Sequence, residues 1–360
     1  MIYFDHAASS PLRSEAKAAM NEVLDLFGNP SSPHFAGLEA RKRIEFCRKQ
    51  IADLLGCEPG EVIFTSGGTE SDATALHSIL LTGKTGLVTS PIEHHAVLKN
   101  IPRGITPTLL PVGKSGVILP SDLEAALTPQ TGLVSVQTVN QELGTIQPVN
   151  ELCELAHDRG ALFHTDAVQA VGQINTDFSG TGADYLSASA HKFGGPKGVG
   201  VLLCRKGSPF APLLSGGMQE NGRRAGTESL LLITGMTAAL QAAITSLPAE
   251  AERKTELRTF LEAGAEALGA IPLCKNSARA PGITDIFFPG HDAEALLYAL
   301  DLYGICVSAG AACETGQTSH VLKAIGLTET EARSCIRFSF GGENTLQEVR
   351  SCLTLLKEIL

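Results

Sequence analysis

The sequence predicts an α/β fold: a mostly parallel sheet with helices on both faces, followed by a smaller α+β region. Three observations carry this. From about residue 40 to 245, apolar runs of strand length alternate with helical stretches, and repeated strand–helix units give parallel sheets covered on both sides. A long apolar helical pattern, "ESLLLITGMTAALQAAITSL" (228–247), closes that series. Beyond it the order becomes β–α–β–α–β–α in short pieces, and a chain of 360 residues is long enough to support two cores.

The first strand of the main series is "EVIFTS" (61–66), which ends in Gly67-Gly68 and leads into the helical "TESDATALHSILL". "TGLVTS" (85–90), "TGLVSVQTVN" (131–140), "ALFHTDA" (161–167), "ADYLSASA" (183–190) and "GVGVLLC" (198–204) supply the others, with helices such as "VNELCELAHDRG" (149–160) between them. Ligands of such sheets bind at the carboxyl ends of the strands. Proline interrupts helices, so Pro248 is read as ending the long helix and opening a second, charged one, "AEAERKTELRTFLEAGAEAL". The domain boundary falls there. "TDIFFP", "DAEALLYALDLYG", "ICVSAG", "SHVLKAIG", "SCIRFSF" and "TLQEVRSCLTLLKEIL" make up the remainder.

Composition narrows the function. A formal net charge of −10 argues against nucleic acid or an anionic membrane surface, both of which attract basic proteins. Arg41-Lys42-Arg43 with Arg48-Lys49 reads as the solvated face of a helix. No run is read as a membrane span, and "MIYFDHAASSP" lacks the basic start and apolar core of a signal peptide. The nine cysteines are scattered, odd in number and without a C-x-x-C pair. That pattern fits a reduced, cytoplasmic compartment and neither a disulfide framework nor a metal site. "GKT" (83–85) and "GKS" (113–115) lack the glycine a phosphate-binding P-loop needs, and no G-x-G-x-x-G follows a strand.

Four elements carry chemistry. In "VIFTSGGTES" a strand runs through Gly67, Gly68 and Thr69 straight into a helix, whose first N–H groups suit a phosphate. In "PIEHHAVL" (91–98), His94 offers a ring to stack on a planar cofactor. In "ALFHTDAVQAVG", Asp166 closes an apolar strand and suits a protonated pyridine nitrogen; as a plain helix N-cap for "AVQAVG" it would serve only structure. In "SASAHKFGGPKG" (187–198), Lys192 follows a strand of small residues, the place for a Schiff-base lysine; the alternative is a surface lysine in a loop. Phosphate cup, stacking ring, acid and lysine together are what pyridoxal 5′-phosphate requires. A fifth feature is Cys313, which ends the small-residue run of "GICVSAGAACETGQTSHVL" (304–322) and opens a polar stretch. That is poor cover for a packing cysteine and suits a thiol that must reach something.

At "YFDHAASSP", "FGNPSSPHFAG", "FTSGGTES", "EHHAVL", "VNQELGTIQP", "HTDAVQAVG", "SASAHKFGGPKGVG", "GRRAGT", "SAGAAC" and "IRFSFG" the chain resembles the class V, fold-type I pyridoxal-phosphate enzymes, and among them the cysteine desulfurases of the NifS/IscS type. The resemblance covers essentially the whole chain. It implies a large cofactor-binding domain, residues 15–245, around a seven-stranded sheet, and a small domain made of 1–14 with 246–360. It implies that Lys192 carries the cofactor as a Schiff base, that His94 stacks on the ring, that Asp166 holds its nitrogen and that Gln169 bonds its oxygen. Gly68, Thr69, Ser189 and His191 would hold the phosphate. Thr227 would reach the phosphate of the neighbouring subunit in a homodimer. Arg337 would grip the carboxylate of L-cysteine with Asn140 beside it, and Cys313 would take the substrate sulfur as a persulfide, releasing alanine. A sulfur-acceptor protein such as an iron–sulfur scaffold is the implied partner. A selenocysteine lyase or an aminotransferase of the same fold is the competing reading, since neither depends on Cys313 to the same degree.

Overall fold

The computed structural model describes residues 1–309 and 318–360. Cys313 therefore lies outside the described residues. In chain order the strands are β1 (Ile2–Tyr3), β2 (Val62–Thr65), β3 (Gly86–Thr89), β4 (Thr106–Leu109), β5 (Thr131–Ser135), β6 (Leu162–Asp166), β7 (Tyr185–Ser189), β8 (Gly200–Cys204), β9 (Ile271–Pro272), β10 (Ile283–Phe287), β11 (Ile305–Cys306), β12 (Ser308–Ala309) and β13 (Cys335–Ser339). Seven of them form one sheet in the order β2-β8-β7-β6-β5-β3-β4. Its pairings from β7 to β4 are parallel, and β8 runs antiparallel to both β7 and β2. Alternation along the strands splits the side chains between two cores. Val62, Phe64, Leu186, Val201 and Leu203 face one, and Ile63, Tyr185 and Leu202 face the other. Both faces of this sheet are therefore covered, as parallel pairing requires.

Four features differ from the sequence reading. β4 has no counterpart in it: "TPTL" is short, exposed and contains Pro107, which an edge strand tolerates. The run 131–140 is regular strand only to Ser135, although Val136 and Thr138 N–H still follow the edge of β6, donating to the carbonyls of His164 (3.1 Å) and Asp166 (2.8 Å). Arg48 is not on a solvated face. It is buried, gripping Glu220 with both terminal nitrogens (2.8 and 2.6 Å) and donating to the Val62 carbonyl. Finally, Pro248 does not end the long helix, which runs unbroken over Leu230–Ala267. Proline removes one backbone bond, but Ile233, Met236 and Leu240 are packed in the large-sheet core and Leu257, Leu261 and Ala265 in a second core with Phe338 and Val349. Packing at both ends outweighs the missing bond. By length and composition this helix also carries a stretch apolar enough to cross a membrane, with a mean hydropathy of 1.7; half of that stretch is buried inside the protein.

The second core backs the antiparallel sheet β12-β13-β10-β9, and β1 pairs in parallel with β11. The run "ICVSAG" is thus divided: Ile305–Cys306 joins the N-terminal strand and Ser308–Ala309 joins β13. This brings residues 2–5 beside 335–339, with Asp5 bridging to Ser339.

Candidate active site

A cavity of about 400 Å³ opens at the carboxyl ends of the parallel strands, where α/β folds bind their ligands. Nine of the sequence-predicted residues line it: Gly68, Thr69, His94, Asp166, Gln169, Ser189, His191, Lys192 and Arg337.

The glycine-rich end of the cavity is built by β2 and the helix Gly68–His77 that follows it. Gly67 sits at φ 154°, a conformation side chains rarely adopt, and a Cβ on Gly200 would lie 2.7 Å from its Cα, so the turn accepts only glycines. Ser71 N–H returns to the Gly67 carbonyl (3.1 Å), and the N–H groups ahead of it stand at the helix N-terminus, where anions are favoured. Glu70 turns away to accept Ser66 N–H (2.8 Å) and a two-pronged contact from Arg224 (2.9 and 3.1 Å). Thr227 itself is exposed and does not line this cavity. It stands three residues beyond Arg224, on a segment moored to that same helix.

On the floor, Asp166 is not a helix N-cap. The residues after it form turns, and its Oδ1 accepts Val168 N–H at 2.9 Å. Burial, with Asp72 nearby, pushes its carboxyl up to about 7. Asp72 is buried too, and burial raises it to about 7 as well. Its Oδ1 makes no hydrogen bond among the described residues and lies 3.5 Å from His164 Nε2. His164 bridges Ser135 (2.8 Å) and Ser187 (3.0 Å), and burial holds its imidazole down to about 4. Burying an acid pair raises both carboxyls because water no longer stabilises the charge. A protonated ring nitrogen is the donor such a pair lacks, so this floor fits pyridoxal phosphate. Burial and the Lys192 charge hold His94 down to about 4, leaving a neutral ring whose Nδ1 accepts Ala96 N–H (3.1 Å). His191 is neutral for the same reasons, also about 4, and its Nδ1 lies 3.3 Å from Ser9 Oγ. Lys192 Nζ donates to the carbonyls of Ala7 (2.6 Å) and Ala8 (3.1 Å), and Gln169 Nε2 also donates to Ala7 (2.8 Å).

Arg337, on β13, donates to the Gln141 carbonyl (2.9 Å) and to Asp5 (2.8 Å). Its buried Nε makes no hydrogen bond among the described residues, which leaves donor capacity for a carboxylate. Asn140 is not brought to the cavity wall. It is fully buried, its Oδ1 accepting the N–H groups of Glu142 (2.9 Å) and Leu143 (2.8 Å) and its Nδ2 donating to the Ile92 carbonyl (3.0 Å). It shapes the loop that carries Gln141.

Sequence reasoning missed several lining residues: Asp72, His95, Gln137, Glu142 and His320. His95 and His320 stack with ring centroids 4.4 Å apart, and His320 Nε2 lies 2.9 Å from the Glu93 carbonyl. Ser319, the cap of the helix His320–Ala324, donates to buried Glu142. Only Asp72 carried a local signal, as an acid in the helix that follows the glycine pair; the others meet through tertiary contacts.

The profile of the family described as Aminotransferase class-V matches residues 2–351. The chain belongs to that family. Within it, the chain is 42% identical to Cysteine desulfurase IscS of Dictyoglomus turgidum over 371 residues, covering 100% of this chain and 94% of that protein. It is equally similar, at 42%, to Cysteine desulfurase of Cereibacter sphaeroides, covering 100% and 95% of the two chains. Among solved structures a NifS-like protein superposes with a TM-score of 0.94 at 36% identity, covering 99% of this chain and 98% of the other. SspA, solved in complex with cysteine, matches with a TM-score of 0.81 at 32% identity, over 96% of this chain and 100% of that one.

Proposed function

We propose that the chain is a pyridoxal-phosphate-dependent cysteine desulfurase that converts L-cysteine to L-alanine and a persulfide on Cys313. The observation that carries this is the single cavity at which a strand-end lysine, a buried acid pair, a neutral histidine, a glycine cup and an arginine converge. Relatives named cysteine desulfurase at 42% identity over the whole chain, and SspA solved with cysteine, favour cysteine over selenocysteine.

In this reading Lys192 tethers the cofactor, Asp166 holds its ring nitrogen with Asp72 as a second acid, His94 covers a ring face and Gln169 meets the ring oxygen. Gly68, Thr69, Ser189 and His191 receive the phosphate. When bound, the cofactor supplies an electron sink for the pair displaced at the substrate carbon. Arg337 orients the substrate carboxylate, and Asn140 contributes through the backbone of its loop rather than by touch. Neutral His94 is placed to take or give one proton at the substrate. The Cys313 thiolate attacks the substrate sulfur: an S–S bond forms as the C–S bond breaks, and the carbon is protonated to give alanine.

The same reading makes the enzyme a homodimer, with Thr227 serving the neighbour's phosphate. Exposed Leu26, Phe27, Phe35 and Phe46 supply apolar surface for such contact. It divides the chain into a large part, 15–245, and a small part, 1–14 with 246–360, each with its own core. An iron–sulfur scaffold is the sulfur acceptor we favour, in a cytoplasmic setting. The test is to incubate the holoenzyme with cysteine and map persulfide by mass spectrometry while counting alanine. One persulfide on Cys313 per first alanine is expected, and Cys313→Ser should abolish both. Alanine formed with sulfur on another cysteine, or by the serine variant, removes the mechanism.

A further inference from the structure

The turn that carries Lys192 is held from behind by a chain of polar groups outside the cavity. The Lys192 carbonyl accepts hydrogen bonds from Ser10 Oγ and from Gln173 Nε2, both at 3.1 Å. Gln173 Oε1 accepts from Lys254 Nζ at 2.9 Å. Lys254 lies on the long helix, 2% exposed, and its ammonium is 3.0 Å from Glu250. Glu250 is also held by Arg13 (2.9 and 3.1 Å) and Ser246 (2.6 Å), and Arg13 Nε closes the ring by donating to the Phe193 carbonyl at 3.1 Å.

Stability alone does not call for this arrangement. Burying a lysine is costly, and a buried ion pair is often no better than an apolar residue of similar volume. Packing fixes the ends of the turn, where Ala190 and Phe193 sit in the large-sheet core, but not its middle. A small cavity of about 10 Å³, room for one water, lies beside Lys192, Gln169, Gln173, His6 and Ser339. Where the wall behind a side chain is not filled, directional bonds must set its position.

We infer that Lys254 is a positioning residue for Lys192: acting through Gln173, it fixes the Lys192 carbonyl and hence the line along which that side chain enters the cavity. The inference rests on the proposed role of Lys192. Among the described residues, charged and titratable groups facing Lys254 include Glu250, Arg13, Glu343 and His6, and those facing Lys192 include His94, His191 and Asp166.

The experiment compares holoenzymes carrying Lys254→Met, Gln173→Leu, both together, and Lys254→Arg. Each is followed by pH titration of the bound cofactor's visible absorption, by kcat and KM, and by thermal unfolding. Either single variant should shift the absorption midpoint by about half a unit or more in a common direction and lower kcat ~10-fold with KM nearly unchanged. The double variant should match the worse single one, because both break one relay, and Lys254→Arg should restore part of kcat. If Lys254→Met fails to fold, Gln173→Leu carries the test alone, since it leaves the Lys254–Glu250 pair intact. An unchanged midpoint with only a lower Tm, or losses that multiply in the double variant, overturns the inference. Borohydride fixation followed by peptide mapping separates the two levels. Cofactor fixed to a lysine other than Lys192 defeats the parent reading, whereas cofactor on Lys192 with an unmoved midpoint defeats only this one.

Discussion

The floor of the cavity comes from one stretch of chain, residues 68 to 192, whereas its rim is assembled from both ends of the sequence. On the floor, each functional side chain sits at a strand end or the helix start after it: Thr69 after β2, His94 after β3, Asp166 at the end of β6 and Lys192 after β7. On the rim, Arg337 is held by Asp5, 332 positions away, and His320 stacks on His95. The two regions also differ electrically. The floor buries Asp72 and Asp166, and burial raises both carboxyls to about 7. At the rim, the guanidinium of Arg337 already has its anion in Asp5. In the proposed reading the floor receives a protonated ring nitrogen, and the rim receives the substrate carboxylate at the donor capacity Arg337 keeps beyond Asp5.

Breaking the floor should have the largest effect. Lys192→Ala is expected to abolish desulfurase activity and to leave no cofactor fixed to the protein by borohydride, as read by intact mass. Fixation that persists in this variant contradicts the assignment of Lys192.

Asp166→Asn should act in opposite directions on activity and stability. If Asp166 holds the ring nitrogen as proposed, removing its anion should lower kcat by ~100-fold or more. Stability responds because the carboxyl is raised from its ordinary 3.8 to about 7 in the fold. Between those values the unfolded chain has released its proton while the fold retains it. Folding therefore loses stability as pH rises through that window, and the full loss is present above 7. The cofactor-free Asn variant should accordingly melt about 4 °C higher than wild type at pH 8 and nearly level with it at pH 4. Equal melting temperatures at pH 8 would show that this carboxyl is solvated.

How much of this was legible in the sequence follows the same division. Each floor residue sits beside its own signal: a glycine pair before a helix, an acid or a lysine ending an apolar strand. The periodicity that gives the strands therefore places the residues too. Asn140 shows the limit, because its motif marks the loop but not the direction of the side chain, which points into the loop's own backbone. The rim had no local signal. Arg337 meets Asp5 only because Asp5 bridges to Ser339 beside β13, and His320 meets His95 only because Val321 and Leu322 pack with Ile92 and Leu143 in a small separate core. Pro248 misled for a related reason: a local rule met packing at both ends of one helix.

At the rim, Arg337→Lys tests whether fork geometry or mere charge matters. A lysine keeps the charge but cannot serve Gln141, Asp5 and a carboxylate together. KM for cysteine should rise ~10-fold, the loss of roughly one charge-assisted hydrogen bond, with kcat changed much less. A variant with normal KM and low kcat would move Arg337 from holding substrate to shaping the cavity.

The smallest effect sharpens the contrast between Cys313 and the remaining thiols. Burial pushes Cys57, Cys153, Cys204 and Cys352 up to about 12, each except Cys352 with help from neighbouring carboxylates, and Cys335 higher still. Cys274 rises to about 11 despite the countering charge of Arg279. Because the thiolate is the reactive form, a raised thiol stays inert until pH approaches its shifted value. In native protein at pH 7.5, iodoacetamide should therefore modify Cys313 first, leaving those six untouched over the same time. Raising the pH to 9.5 should bring in Cys274 first among those six, since it is half-buried and its thiol is the least raised of them, while buried Cys352 should still be protected. Peptide mapping of the alkylated protein at the two pH values reads the order directly. Labelling of Cys352 ahead of Cys274 would mean that the second core opens before the segment around Cys274 does, and the barrier protecting that thiol would then be local unfolding rather than protonation.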